Sequence, residues 1–240
     1  MRIGTWNVEH AAVPAKNARR RELLIAADAD IWVLTETRDA LDLGPTHFAV
    51  HSDPRPKTRV GERWVSIWSR LPLLERVPVR DPSRTVCALF DAPSGPLLVY
   101  GAVMPWHADY GVEGTAKGWT EQYRVVPEQA SEGAALRERS PRAALCVAGD
   151  FNMSLGGAHY YGTKRGRELL QAGLDGAGLA CVTRTEHVPP GLLKWPHIDH
   201  VAVPVEWAGR SHVVAAWPGT IDGVRLSDHS AVVVETGEAA

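Results

Sequence analysis

With 240 residues and a formal charge of −2 at pH 7, the chain can bury one large core or two small ones, and it carries no overall electrostatic attraction to nucleic acid or anionic membrane. Hydrophobic content of 45% and charged content of 22% are those of an ordinary globular protein, and no segment reaches the roughly 18 to 20 apolar residues of a membrane-spanning helix. The three cysteines, Cys87, Cys146 and Cys181, are odd in number and widely spaced; with no basic-then-apolar leader, the expectation is a reduced, cytoplasmic protein without a disulfide framework.

Arg2 to Val8 reads as a strand that turns polar at Asn7-Val8-Glu9-His10. Ala15 to Asp28 has the one-sided pattern of an amphipathic helix, and Ala29 to Leu34 is a second apolar strand running out into Thr35-Glu36-Thr37-Arg38. This strand–helix–strand unit brings Asn7 and Glu36 together if the two strands are parallel neighbours. After Pro45 come short β-rich runs broken by Pro or Gly: His47 to His51, Arg63 to Trp68, Leu73 to Val79, Thr85 to Phe90 and Leu97 to Val103. Met104-Pro105-Trp106-His107 follows, and then a glycine-rich surface loop from Ala108 to Gly118. Helical character returns between Glu121 and Arg139, where Pro127 is expected to interrupt the helix or mark its first turn. Ala144 to Ala148 has the length of a strand buried on both faces; it stops at Gly149 and delivers Asp150-Phe151-Asn152. A glycine-rich loop holding His159, Tyr160, Tyr161, Lys164 and Arg165 precedes a helix from Glu168 to Leu174. Strands from Ile198 to Val203 and from Ala231 to Val234 close the chain. No repeat or composition break divides it, so residues 1–240 are expected to form a single α/β domain of two-layer or sandwich type.

Asn7, Glu36, His107, Asp150, Asn152, Asp199, Asp228 and His229 each stand at or beside the end of an apolar run. An isolated Asp-x-Asn after a strand is most simply a turn. The full set has a chemistry that fits one purpose, metal-assisted hydrolysis of a phosphate ester. Carboxylate and amide oxygens suit Mg²⁺, with Mn²⁺ as a substitute. An anionic ester repels hydroxide, so its hydrolysis needs positive charge, an activated water and a proton for the leaving oxygen. Histidines oriented by carboxylates can move those protons near neutral pH.

The strings Thr5-Trp6-Asn7, Thr35-Glu36-Thr37, Pro105-Trp106-His107, Gly149-Asp150-Phe151-Asn152, Ile198-Asp199-His200 and Ser227-Asp228-His229, in that order and over nearly the whole chain, make the sequence resemble the endonuclease/exonuclease/phosphatase superfamily typified by deoxyribonuclease I. The resemblance implies a four-layer α/β (α+β) sandwich: two mainly antiparallel sheets face to face, helices outside, and the active site at one end. It implies that Glu36, assisted by Asn7, is the principal Mg²⁺ ligand, with Asp228 completing the metal-binding region. Asp150 and Asn152 would orient the water and contact the phosphate. His229, partnered by Asp199, is similar to the family's general base or phosphate-stabilising histidine, with Asp150 as the other candidate base. His107 resembles the second histidine of the deoxyribonuclease I branch, a general acid; Glu62 is its expected partner and Arg84 resembles a phosphate-contacting arginine.

Outside these motifs, His10 and His200 are expected to point away from their motif neighbours and to be structural. Trp119, Tyr123, Tyr160, Tyr161, Lys164, Arg165 and Trp195 are candidate substrate contacts on loops at the active end. The activity expected is phosphodiester hydrolysis, nuclease-like, on nucleic acid or a nucleotide. The alternatives are phosphomonoester or lipid and inositol phosphate hydrolysis, or a metal-binding module without turnover. Zinc chemistry is disfavoured because no His-x-x-x-His or Cys-x-x-Cys occurs.

Overall fold

Alternation along the apolar strands divides their side chains between an inner and an outer face. Ile3, Ile31 and Val33 enter one core, whereas Trp6, Trp32 and Leu34, one position out of phase, enter another. In the computed structural model, which describes residues 1–54, 58–193 and 195–237, this alternation produces two sheets packed face to face. The first begins with β1 (Arg2–Asn7), β2 (Ile31–Arg38), β3 (Phe48–His51) and β4 (Glu62–Ser69), with α1 (Pro14–Ala26) between β1 and β2. The second holds β5 (Leu73–Val77), β6 (Thr85–Ala92), β7 (Gly95–Val103), β8 (Ala144–Asp150), β9 (Leu179–Cys181) and β10 (Asp199–Pro204), with α2 (Thr120–Arg139) and α3 (Lys164–Gly176) either side of β8. The chain then returns to the first sheet through β11 (His212–Trp217) and β14 (Ala231–Glu235), separated by a small hairpin of β12 (Thr220–Ile221) and β13 (Val224–Arg225).

The orders are β11-β14-β1-β2-β4-β3 and β5-β6-β7-β8-β10-β9, each six-stranded and antiparallel apart from β1–β2 and β7–β8. The middle core joins Ile3, Val33 and Val65 of one sheet to Val99, Cys146 and Val201 of the other. A second core places Leu98, Leu145 and Val147 against Val126 and Leu136 of α2 and Leu170 and Leu174 of α3. A third sets Trp6, Trp32 and Val233 against Leu24 of α1. The result is the expected four-layer α+β sandwich. The three cysteines are buried and free, and among the described residues no helix is long and apolar enough to cross a membrane.

Register explains why the motif residues converge. Parallel pairing of β1 with β2 sets Asn7 against Thr35, the residue before Glu36. Because β14 runs antiparallel to β1, the Ser227-Asp228-His229 segment just before it arrives at the same end as Asn7. On the other sheet, Asp150 at the end of β8 is the direct cross-strand partner of Asp199 at the start of β10. Gly149 makes that end close-packed: its φ is +137°, and a Cβ there would lie 2.0 Å from the Ala102 carbonyl oxygen on β7.

Three local expectations are corrected. Pro127 neither breaks nor starts α2, which runs unbroken from Thr120 to Arg139; the ring sits on the exposed face, where water can take up the carbonyl that loses its N–H partner. Lys164 and Arg165 are the first residues of α3, not loop, because the Thr163 hydroxyl caps the helix by accepting from the Gly166 N–H at 2.9 Å. His10 does not turn away from the motif residues, because Glu9, His10 and Ala11 form a left-handed turn in place of extended strand. His200 is fully buried: Nε2 donates to the Met153 carbonyl at 2.9 Å, and Nδ1 lies 3.1 Å from the Thr183 hydroxyl.

Two outcomes test this packing. Gly149→Ala is expected to cost more than about 2 kcal/mol in urea unfolding, since the added methyl meets a carbonyl in a left-handed backbone; a loss below about 0.5 kcal/mol contradicts the close approach. Burial holds the His47 and His200 rings below their ordinary pKa of 6.5. Below pH 6.5 the unfolded chain therefore binds more protons than the fold, and stability present above that pH is lost as pH falls toward the folded pKa values. His47→Gln, which keeps a donor for the Ala29 carbonyl, is expected to show a shallower fall in melting temperature between pH 6.5 and 5 than the parent, and an identical slope contradicts it.

Candidate active site

Strand ends from both sheets form one hydrogen-bonded cluster. The Asn7 side chain is at its centre: Nδ2 donates to Glu36 Oε1 and to Asp150 Oδ2, each at 3.1 Å, and Oδ1 accepts from the Glu9 N–H at 2.9 Å. The Asn7 backbone N–H reaches Asp199 Oδ1 at 3.2 Å, and its carbonyl accepts from the Ser227 hydroxyl at 2.6 Å. Asp150 Oδ1 accepts from the Asn152 N–H at 2.8 Å and Oδ2 from Asn152 Nδ2 at 3.1 Å; the same amide also donates to the Met104 carbonyl. Asp199 Oδ2 stands 2.6 Å from His229 Nδ1, and Ser227 Oγ accepts from the His229 N–H at 3.0 Å. The imidazole is thereby oriented with Nδ1 committed and Nε2 left for chemistry.

Backbone conformation contributes directly. Glu36 interrupts β2 between the pairs Thr35–Val65 and Thr37–Arg63 with φ +47°, and Asn152 has φ +48°. Asn tolerates this region; Glu does so only when its surroundings hold it there. Glu9, His10 and Ala11 follow one another at φ +48°, +61° and +45°, a left-handed turn that costs about 1–2 kcal/mol per residue. It is pinned by Asn7 Oδ1, by Asn17 Nδ2 donating to the Ala11 carbonyl at 2.8 Å, and by an ion pair between Glu9 and Arg225. The turn reverses the alternation expected of an extended chain and puts His10 Nε2 3.2 Å from Glu36 Oε2.

The electrostatics follow from burying carboxylates together. Burial pushes the Asp150 carboxyl up to about 7; the His229 charge pulls it down, while Asp199 and Glu36 push it further up. Burial alone would lower the His229 pKa, but Asp199, Asp150 and Asp228 together raise it well above its usual value. Asp150, Asp199 and His229 can bring one donor atom each within 4.8 Å of one another. Both Asp199 oxygens already have partners in Asn7 and His229, as both Glu36 oxygens have in Asn7 and His10.

The cluster lines a cleft of about 840 Å³ with Glu36, Asp150, Asn152, Asp228 and His229 on its walls. Asp228 is half exposed, 4.0 Å from His229 Nε2 and 3.8 Å from Arg225, so its contacts run to the histidine and arginine and not to Glu36. Trp106, braced by Trp64 at 5.4 Å between ring centroids, and the stacked, exposed pair Tyr160 and Trp195 complete the rim.

Several placements differ from expectation. Glu62 is not on His107: it is the cross-strand partner of Arg38, and the two side chains pair at 2.7 Å. His107 is exposed and set edge-on against Trp119 at 5.8 Å, with Tyr161 beyond, and does not line the cleft. Arg84 is 1% exposed and bonds Asp109 Oδ2 at 2.6 Å, anchoring the loop after Trp106 in place of contacting a phosphate. Lys164 and Arg165 lie outside the cleft lining, and Arg165 covers the Tyr123 ring at 4.5 Å. Sequence reasoning missed His10, Arg225 and His197, the last a buried ring on the cleft wall. A left-handed turn without glycine leaves no compositional signal for the first, and Arg225 belongs to a two-residue strand too short to show periodicity.

A sequence profile described as the Endonuclease/Exonuclease/phosphatase family matches residues 4–229. A search of curated protein sequences finds no match. Among solved structures, the chain is similar to a 3'-5' exonuclease from Neisseria meningitidis (TM-score 0.69, 19% identity, 98% of this chain and 99% of that one). It is also similar to the endonuclease domain of TRAS1, a telomere-specific non-LTR retrotransposon (TM-score 0.65, 14% identity, 99% and 98%). A third is an endonuclease/exonuclease/phosphatase from Beutenbergia cavernae (TM-score 0.62, 19% identity, 99% of this chain and 71% of that one). With the profile spanning every strand end that builds the cleft, the chain belongs to the Endonuclease/Exonuclease/phosphatase family and is a phosphoric ester hydrolase.

Proposed function

We propose that the chain is a divalent-metal-dependent phosphodiesterase acting on nucleic acid or a nucleotide, with Mg²⁺ or Mn²⁺ as its ion. The observation that carries this is the junction of the Asp199–His229 dyad with the Glu36–Asn7–Asp150 cluster in one cleft. The donor set fits a hard cation: oxygen ligands predominate, and burial, with Asp199 and Glu36 adding to it, raises the Asp150 pKa to about 7, a cost that a cation beside it would relieve. Glu36 and Asn7 would hold the ion, with Asp150 beside them and Asp228 across the cleft. A divalent cation there supplies positive charge to the phosphate and to the attacking water.

The side chains of this chain do the rest. Asp150 takes the proton of the attacking water at a carboxylate oxygen, and Asn152 fixes that carboxylate through two hydrogen bonds. His229, held by Asp199, donates a hydrogen bond from Nε2 to a phosphate oxygen as the water oxygen bonds to phosphorus and the P–O bond to the leaving oxygen breaks opposite it, the leaving oxygen taking its proton from solvent water in the open cleft. Tyr160 and Trp195 offer aromatic faces at the rim for a base. That His107 stands outside the cleft lining favours a second reading, a 3'-phosphomonoesterase in which His107 takes no part, and one of the similar structures is described as a 3' phosphatase from Neisseria bound to product DNA hairpin (TM-score 0.70, 19% identity, 98% of this chain and 99% of that one).

A panel of bis-nitrophenyl phosphate, oligonucleotides with 3'-hydroxyl or 3'-phosphate ends, inositol phosphates and phospholipids, assayed with Mg²⁺ or Mn²⁺, tests both readings. Turnover of oligonucleotide bonds is expected, with Asp150→Ala, His229→Ala and Glu36→Ala each lowering kcat/KM by about 10²–10⁴-fold and leaving the fold intact by circular dichroism. Glu62→Gln and His107→Ala are expected to change it less than about fivefold. Turnover that survives Asp150→Ala, or none on any substrate, overturns the proposal.

A further inference from the structure

We infer that His10 is a nitrogen ligand of the same divalent ion, turning an all-oxygen site into a mixed one that prefers Mn²⁺ and similar transition ions over Mg²⁺. The inference rests on the metal site proposed above and adds to it a residue outside the motifs. Glu36 is bracketed: Oε1 accepts from Asn7 Nδ2, and Oε2 lies 3.2 Å from His10 Nε2. Two donors about 2.1 Å from an octahedral ion and at right angles stand about 3.0 Å apart, so this pair has the spacing of one edge of a coordination octahedron.

The backbone supports a positioned imidazole over an incidental one. His10 and Glu36 both have left-handed φ, and the turn carrying His10 is tied down on three sides, by Asn7 Oδ1, Asn17 Nδ2 and Arg225. The His10 side chain is also 53% exposed, which leaves room beside it for the water ligands that such an ion retains. First-row divalent transition ions, Mn²⁺ the weakest-binding of them, accept imidazole as a ligand, whereas Mg²⁺ keeps a stricter preference for oxygen.

The test uses the full chain loaded with Mn²⁺ and read by pulsed electron paramagnetic resonance, with Mn²⁺ and Mg²⁺ affinities measured by calorimetry. His10→Asn keeps a residue that accepts the left-handed backbone, with a side chain too short to reach, and His10→Ala is the second variant. A ¹⁴N coupling of a directly bound imidazole is expected in the parent and in His229→Gln, and is expected to vanish in both His10 variants. Mn²⁺ affinity is expected to fall at least about tenfold in those variants while Mg²⁺ affinity changes less than about threefold. Mn²⁺ binding that depends on Glu36 but shows no His10-dependent ¹⁴N coupling overturns the inference and leaves the metal site standing. Equal losses for both ions, with no coupling, make His10 a hydrogen-bonding support of Glu36 only. No Mn²⁺ binding in the parent overturns the site and the inference together.

Discussion

The side-chain amide of Asn7 ties the two sheets together where the chemistry is. Nδ2 is shared between Glu36, on its own sheet, and Asp150, on the other, while the Asn7 backbone holds Asp199 through its N–H and Ser227 through its carbonyl. Each of these contacts depends on where a strand stops. β1 ends at Asn7, β8 at Asp150, and β10 begins at Asp199, so the sandwich closes with its polar ends meeting across the gap that the apolar alternation leaves dry further in. A shift of one residue in any of these strands would turn its carboxylate into the core or away from the cleft.

Placing Asp150 in the interior with Glu36 and Asp199 close by works against stability, because burial and the neighbouring carboxylates raise its cost of ionisation. The fold offsets this with donors. Asn7 and Asn152 supply amide hydrogens to Asp150, and Asp199 receives one hydrogen bond from backbone and one from His229. What remains is a region short of positive charge beside a cleft, with the Asp150 carboxyl pushed toward neutrality. Such residual frustration is expected where a site is organised for a ligand and not for the empty fold.

Much of this was legible in the sequence because strand ends leave a clear mark: an apolar run, a glycine or small residue, then an acid or amide. Gly149-Asp150-Phe151-Asn152 has that form after β8, Ser227-Asp228-His229 stands just before the apolar β14, and both motifs contribute to the cleft wall. Contacts set by pairing across elements left no such mark. Glu62 meets Arg38 because β2 and β4 are antiparallel in that register, and Arg84 meets Asp109 because the loop after Trp106 folds back over β6. β9 has three residues and β11 carries a bulge between Val213 and Ala215, so neither shows a periodicity long enough to read. His10 escaped because alternation holds only for extended backbone, and the left-handed turn at Glu9–Ala11 suspends it.

On the proposed reading, Glu36, held by Asn7, takes the cation on one wall of the cleft while Asp199 and His229 remain a dyad on another. Anomalous scattering from crystals grown with Mn²⁺ tests this directly. A peak within bonding distance of the Glu36 carboxylate, with Asp199 still hydrogen-bonded to His229, is the predicted result. No peak in the cleft, or an ion seated among Asp150, Asp199 and His229 with that dyad broken, would contradict it.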